Sequence, residues 1–187
     1  MNQLLTFINQ HSTLTDTLTT ELNEIMDEVS VSAGTEISSQ NTYCRQLYFI
    51  KKGVVKFCFN SEGKEFIMRF FEEGVLFTDL LSWNKKECSE YRIVALENTE
   101  FFSLPFLQFE ELCNRHHALE TFYRKFITQA SLNMMERIKE ILEEDAQKRY
   151  SNFVEKHPGL LQRVSLGDIS KYLGITQVTL SRIRANK

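Results

Sequence analysis

Residues 163–187, RVSLGDISKYLGITQVTLSRIRANK, constrain this chain more than any other stretch. They describe two short helices around one tight corner. The first is expected from about Leu166 to Leu173, with Ser165 as its cap and Asp168 three residues on, because side-chain oxygens at a helix start accept from unpaired N–H groups. Gly174 supplies the positive φ that a sharp helix-to-helix turn needs, and Thr176 caps the second helix. Ile169, Leu173, Ile175, Leu180 and Ile183 recur at helical steps and should pack between the two. Small Ser170 falls where the helices would cross. The pattern predicts a helix-turn-helix whose second helix exposes Gln177, Thr179, Ser181, Arg182 and Arg184. Side chains of these types reach base edges and phosphates in a major groove. Glycine corners also occur in ordinary helical cores. Two details favour the nucleic-acid reading: the exposed face is polar and basic, and with the chain stopping at Lys187 nothing is expected to cover that helix.

Charge divides the chain the same way. Residues 151–187 carry a net +4, whereas the whole chain is −3, which leaves −7 on residues 1–150. A basic end on an acidic body suits an end that meets a polyanion.

The 187 residues, 42% hydrophobic, suffice for one or two domains with a real core. No apolar run approaches the roughly 18–20 residues of a membrane span, and the N-terminus has no secretory pattern. A cytoplasmic protein without a membrane partner is expected. Residues 1–18 read as a short amphipathic helix through Leu4, Leu5, Phe7 and Ile8. Cys44, Cys58, Cys88 and Cys113 form no C-x-x-C pair, and no histidine lies between residues 12 and 115. Free thiols and no metal site are the expectation. A cupin-type enzyme would need histidines on the strands, so no enzymatic activity is expected.

From about residue 31 to 104 short strands are expected. Breaks fall at Lys51-Lys52-Gly53, at Ser61-Glu62-Gly63 as a hairpin turn, at Gly74 and at Glu97-Asn98. Close strand spacing with glycine turns predicts a small antiparallel barrel or β-roll. Beyond Pro105 comes a short amphipathic helix, then one long helix over residues 118–150. Leu119, Phe122, Phe126, Ala130, Met134, Ile138 and Ile141 form a single stripe along it, with Gln129 and Asn133 beside the stripe. So long a stripe is expected to pack partly on its own barrel and partly against the same helix of a second copy. His157-Pro158-Gly159 breaks the chain before the final helices.

A β-roll, a long helix and a C-terminal helix-turn-helix together resemble the Crp/Fnr family of bacterial transcription regulators. The resemblance rests on EEGVLFTDLLSW (residues 72–83), SEYRIVALENTEFFSL (residues 89–104) and HPGLLQRVSLGDISKYLGITQVTLSRI (residues 157–183). The last looks like Bacteroidetes-like members, in which the chain stops after the recognition helix and the wing hairpin is missing. The resemblance implies an α+β protein of three parts. These are a β-roll sensor with flanking helices (1–117), a dimerisation helix (118–150, with Phe122, Phe126, Ala130, Asn133, Met134, Ile138 and Ile141 at the contact) and a wingless helix-turn-helix (151–187).

In cAMP-binding members a cassette F-G-E-L, followed by R-S, admits the cyclic phosphate. Here it reads Phe77-Thr78-Asp79-Leu80, and the second part reads Ser89-Glu90-Tyr91. An acidic Glu90 in place of the phosphate-pairing cation repels an anion. Tight binding of cAMP or cGMP is not expected, no cofactor is implied, and any effector is a different molecule. In the recognition helix the family pattern S/T-x-E-T-x-x-R appears as Thr176-Gln177-Val178-Thr179-Leu180-Ser181-Arg182. Arg182 keeps the place that reads guanine. Gln177 suits adenine, Val178 a thymine methyl, and Ser181 shares the base-facing side. Arg163, Ser165, Lys171, Thr176, Thr179 and Arg184 are the expected phosphate contacts. The implied partners are double-stranded DNA, as a pseudo-palindromic operator, and a second copy of the chain. Activation would further need a surface for RNA polymerase, which no local pattern marks. The alternative is a regulatory module with a degenerate sensor that acts through protein contacts without reading DNA.

Overall fold

Strand alternation sets the architecture of the computed structural model, which describes residues 2–185. Two helices open the chain, α1 (Gln3–Asn9) and α2 (Asp16–Glu24). The strands follow as β1 (Asp27–Val31), β2 (Glu36–Ser38), β3 (Gln46–Lys52), β4 (Val55–Ser61), β5 (Lys64–Phe71) and β6 (Leu76–Phe77). After helix α3 (Leu80–Lys85) come β7 (Arg92–Ala95) and β8 (Thr99–Pro105). They form two four-stranded antiparallel sheets in the orders β1-β8-β3-β6 and β2-β7-β4-β5. Along β3, Leu47 and Phe49 point to one side of the first sheet, whereas Tyr48 and Ile50 point between the sheets. Both sides are covered, so β3 reads as an unbroken apolar run.

Three cores result. Between the sheets lie Tyr48, Ile50, Val55, Phe77, Ile93 and Phe101. Outside the first sheet, α1 and α2 bury Leu4, Leu5, Ile8, Leu18 and Leu22 against Phe49, Phe102 and Leu104. The helices α4 (Phe106–Arg115) and α5 (His117–Glu143) complete that layer with Phe109, Leu119 and Phe122. Outside the second sheet, Cys58, Ile67 and Phe70 meet the C-terminal helices. Each such large apolar side chain contributes about 1.5–3 kcal/mol when fully buried.

The turns fall where glycine allows. Gly53 sits at φ +108°, and a Cβ there would lie 2.8 Å from the Thr99 backbone, so no other residue fits. The β4–β5 hairpin turns at Glu62-Gly63, as expected. A bulge between Phe57 and Cys58 shifts its register. By simple alternation along β4, Val55 and Phe57 face the inter-sheet core, while Lys56 and Cys58 face the C-terminal helices.

The single helix expected over residues 118–150 is two helices. α5 ends when Glu144 turns extended, and Asp145 caps α6 (Ala146–Lys156) by accepting from the Lys148 N–H at 2.8 Å. Three acids, Glu143, Glu144 and Asp145, fall where a continuing helix would gain nothing from them, and Asp is a strong helix starter. Arg149 fixes the bend by donating to the Glu144 carbonyl at 2.6 Å. A 3-10 turn (Pro158–Gln162), α7 (Leu166–Leu173) and α8 (Gln177–Ala185) end the described chain. Two short helices, α2 and α3, lay outside the sequence expectations.

Candidate nucleic-acid interface

The corner between α7 and α8 is built as its residues dictate. Ser165 Oγ accepts from the Asp168 N–H at 3.0 Å and donates to the Asp168 carboxylate at 2.8 Å. A cap of this kind contributes about 1 kcal/mol. Gly174 ends α7 at φ +68°, and its N–H donates to the Ser170 carbonyl. The Thr179 N–H donates to Thr176 Oγ1 at 3.1 Å. Ile169, Ser170, Leu173 and Leu180 are buried, joined by Tyr150, Phe153, Leu160 and Val164 from the preceding segments. The second helix therefore stands on a firm apolar base.

Its outer face is open. Gln177, Val178, Ser181, Arg182 and Arg184 are exposed, with Val178 at 60%. Among the described residues neither Arg182 nor Arg184 has an ion-pair partner. Gln177 lies over Gly167, and its Nε2 would sit 2.5 Å from a Cβ at that position. Lys187, counted in the basic tail, lies outside the described residues.

The opposite side of the same unit is tied to the β-roll by carboxylates. Arg163 makes a two-pronged contact with Glu73, at 2.9 and 2.7 Å, and also pairs with Glu97. Lys171 reaches Glu65 at 2.9 Å. Lys56, on β4, bridges Glu65 at 2.8 Å and Asp168 at 3.2 Å. Burial opposes ionisation of Glu65, but hydrogen bonds from Lys56 and Lys171 overcome it and hold its carboxyl at about 2. The Arg163 hydrogen bonds hold Glu73 at about 2 as well. Two expected phosphate contacts, Arg163 and Lys171, are thus already paired with carboxylates. Thr176, Thr179 and Ser165 make local caps, and Arg184 has no ion-pair partner among the described residues. The sequence reading missed Lys56, Glu65, Glu73 and Glu97, since each is an unremarkable charged strand or turn residue.

The expected effector cassette is filled by its own side chains. Asp79 is buried and caps α3, accepting from the Leu81 and Ser82 N–H groups at 3.1 and 3.2 Å, while Ser89 donates to its other oxygen. Thr78 donates to the Gln46 carbonyl at 2.7 Å. Phe77 stacks on Phe71 at 4.2 Å, Leu80 packs on the first-sheet core, and Tyr91 stacks on Phe57 at 4.6 Å. Glu90 points to solvent. Arg92, next in sequence to Tyr91, pairs with Glu36 and Glu65. The four cysteines are free thiols, and burial pushes Cys58 up to about 11. Among the described residues no group of His, Cys, Asp and Glu is arranged to hold a metal.

The apolar stripe of α5 divides. Phe122 is only 1% exposed and packs edge-on against Phe7 at 5.7 Å, and Phe126 is half-buried beside it. Phe122 is therefore core of its own chain and not a contact for a second copy, a correction to the expected set. Ala130 is half-buried, while Asn133 and Met134 are exposed, as are Ile138 at 50% and Ile141 at 52%. Leu132, Met135 and Leu142 extend this bare surface.

Residues 28–116 match the cyclic nucleotide-binding domain family. No curated protein matches the chain significantly. Among solved structures, FixK2 from Bradyrhizobium japonicum superposes with a TM-score of 0.74 at 17% identity, over 87% of this chain and 84% of that one. CLP from Xanthomonas campestris, a c-di-GMP-responsive global regulator, gives 0.73 at 10% identity, over 92% and 91%. A transcriptional regulator of the crp/fnr family from Eubacterium rectale gives 0.72 at 16% identity, over 92% and 83%. At these identities the common property is the fold. Among the described residues no helix is long and apolar enough to cross a membrane.

Proposed function

We propose that this protein is a cytoplasmic, homodimeric transcription regulator of the Crp/Fnr type. Its three functional parts are a β-roll (1–117), a dimer helix (within 118–150) and a helix-turn-helix (151–187). The likeness of the last part to Bacteroidetes-like members supports that subtype. The observation that carries the reading is the free outer face of α8, with Gln177, Val178, Ser181 and Arg182 exposed on a rigid apolar base. A fold shared along most of the chain with the global regulator CLP supports it further.

Arg182 then makes a bidentate contact to guanine O6 and N7, Gln177 reads adenine, Val178 meets a thymine methyl, and Arg184, Thr176 and Thr179 grip phosphates. The second copy docks along the rest of the expected stripe, Phe126, Ala130, Met134, Ile138 and Ile141 with Asn133 beside it, whose steps of four, four, four and three keep one helix face. Two heads so held read half-sites about one helical turn, roughly 34 Å, apart. The self-filled cassette, with Asp79 engaged by Ser89 and the α3 amides, supports a regulator that neither cAMP nor cGMP switches.

The test is a DNA selection with purified protein, without added ligand, beside Ile138→Glu. Enrichment of a two-fold symmetric site by the wild type, and loss of that symmetry in the variant, is the expected result. No enrichment under any salt condition would sink the DNA-reading assignment. It would favour the regulatory module that acts through protein contacts.

A further inference from the structure

A cavity of about 200 Å³ lies where β5, α5, α6 and α7 meet. Arg69, Arg137, Arg149 and Lys156 line it against only two carboxylates, Glu136 and Glu140, and His157 stands at its edge. Such an excess of positive charge in a partly enclosed space is unfavourable unless an anion compensates it, because screening by water is reduced there.

Three of the four cations have structural duties. Arg137 is buried, lies 4.0 Å over the Tyr172 ring, donates to the Tyr172 carbonyl and pairs with Glu140 at 3.4 Å. Arg149 holds the Leu173 and Glu144 carbonyls at 3.2 and 2.6 Å. Lys156 pairs with Glu140, and His157 lies 3.3 Å from Glu72. Arg69 differs. It is half-buried on β5, lines the cavity, and has no ion-pair or hydrogen-bond partner among the described residues.

We infer that this cavity is a binding site for a small oxyanion of the phosphate type, with Arg69 as the ligand-dedicated cation. Size restricts the ligand. Pockets that enclose drug-sized molecules run to roughly 300–1,000 Å³, so this one fits an inorganic phosphate or a single phosphate group. The adjoining cavity shares Glu136, Glu140 and Lys156 and adds Glu143, Glu144 and Asp145 as well as Lys139 and Lys148, so carboxylates outnumber cations there by five to three. A larger polyanion extending that way meets carboxylates. A guanidinium fork matches two phosphate oxygens at once, which suits Arg69 better than a lysine. The site joins the β-roll, through Arg69, to the C-terminal helices, through Arg149 and Tyr172. Occupancy therefore favours the arrangement in which the two are in contact. The inference stands on the cavity alone and is independent of whether α8 reads DNA.

The experiment is calorimetry and phosphorus NMR on the full chain with orthophosphate and pyrophosphate, against sodium chloride at matched ionic strength. Saturable binding is expected, weakened roughly tenfold or more in Arg69→Gln, which deletes one charge-assisted contact, and less in Arg69→Lys. Arg69 has no side-chain partner to lose among the described residues, so the variant should keep the wild-type fold, checked by circular dichroism. Lys85→Gln, on the exposed end of α3, should bind as the wild type does. Tighter pyrophosphate would identify the end of a phosphorylated metabolite, and tighter orthophosphate the free ion. Heats equal to those of chloride, or equal losses in Lys85→Gln and Arg69→Gln, would overturn the site.

Discussion

The two sides of the C-terminal unit use the same kinds of residue for opposite purposes. Towards the β-roll, Arg163 and Lys171 are neutralised by Glu73, Glu97 and Glu65. On the outer side, Arg182 and Arg184 meet no carboxylate among the described residues. The net +4 of this end is therefore not the charge an approaching polyanion meets. A phosphate that recruits Lys171 must compete with Glu65, whereas one that meets Arg184 displaces only mobile counterions. Affinity should come from the outer side and attachment to the body from the inner one.

Arg182→Ala tests the outer side and should have the largest effect. One bidentate guanine contact is worth about 1–3 kcal/mol, and the proposed dimer loses two, so affinity for the selected site should fall by at least about thirtyfold and by roughly a thousandfold at the middle of that range. Folding stability should hardly move, because Arg182 is exposed. A titration of labelled operator, paired with a urea melt, checks both. Equal losses in affinity and stability would mean that α8 is a structural helix.

Glu65→Gln tests the inner side. Glu65 is the common acceptor for Lys56, Lys171 and Arg92. Its loss leaves Lys56 deeply set with only Asp168, which should cost roughly 2–3 kcal/mol in a urea melt. The same change leaves Lys171 with only its longer pair to Asp168, at 3.8 Å. In the wild type its counterion is Glu65, so it releases none to solvent on binding DNA. In the variant the slope of log affinity against log salt should steepen by about one ion. An unchanged slope would show that Lys171 never approaches a phosphate.

How much of this was visible in the sequence follows from the range of the forces. The α7–α8 corner was legible because Ser165, Gly174 and Thr176 act on backbone within three or four residues. The hairpin at Glu62-Gly63 and the break at Glu97-Asn98 were legible for the same reason. The bend at Asp145 was not. The periodic stripe ran past it, and only the competition between a helix continuing through three acids and one restarting at a cap decides the outcome. Nor did the stripe show that Phe122 belongs to its own core while Ile138 is bare, since one period serves both. The inner ion pairs were invisible. Lys171 and Glu65 are 106 residues apart, and Lys56 and Asp168 are 112.

Arg163→Ala should be milder than Glu65→Gln. Its partners are more open, Glu73 being 40% and Glu97 34% exposed, so solvent screens the pairs and about 1 kcal/mol is expected. Affinity for DNA should stay within about threefold of the wild type if Arg163 is a tether and not a phosphate contact. A larger loss at unchanged stability would move Arg163 to the outer class.

Acid gives the finest test, because the two sides titrate differently. Glu65 and Glu73 are held at about 2 when folded, against an ordinary 4.5, so protons bind preferentially to the state in which these pairs are broken. Lowered carboxylates contribute stability that is complete above about 4.5 and disappears as pH falls towards about 2. The urea midpoint should thus be flat from neutrality down to about pH 5, then drop. Lys56 acts at the other end: burial opposes its charge, but the Glu65 hydrogen bond raises it overall, so its share is lost only at high pH. In Glu65→Gln one of the carboxyls held at about 2 is gone, and the acid slope should be shallower by up to one proton. Arg182→Ala has no carboxylate partner to release, so its acid slope should match the wild type. If Arg182→Ala changed that slope as Glu65→Gln does, the outer arginine would be paired with the body and the two sides would not be distinct.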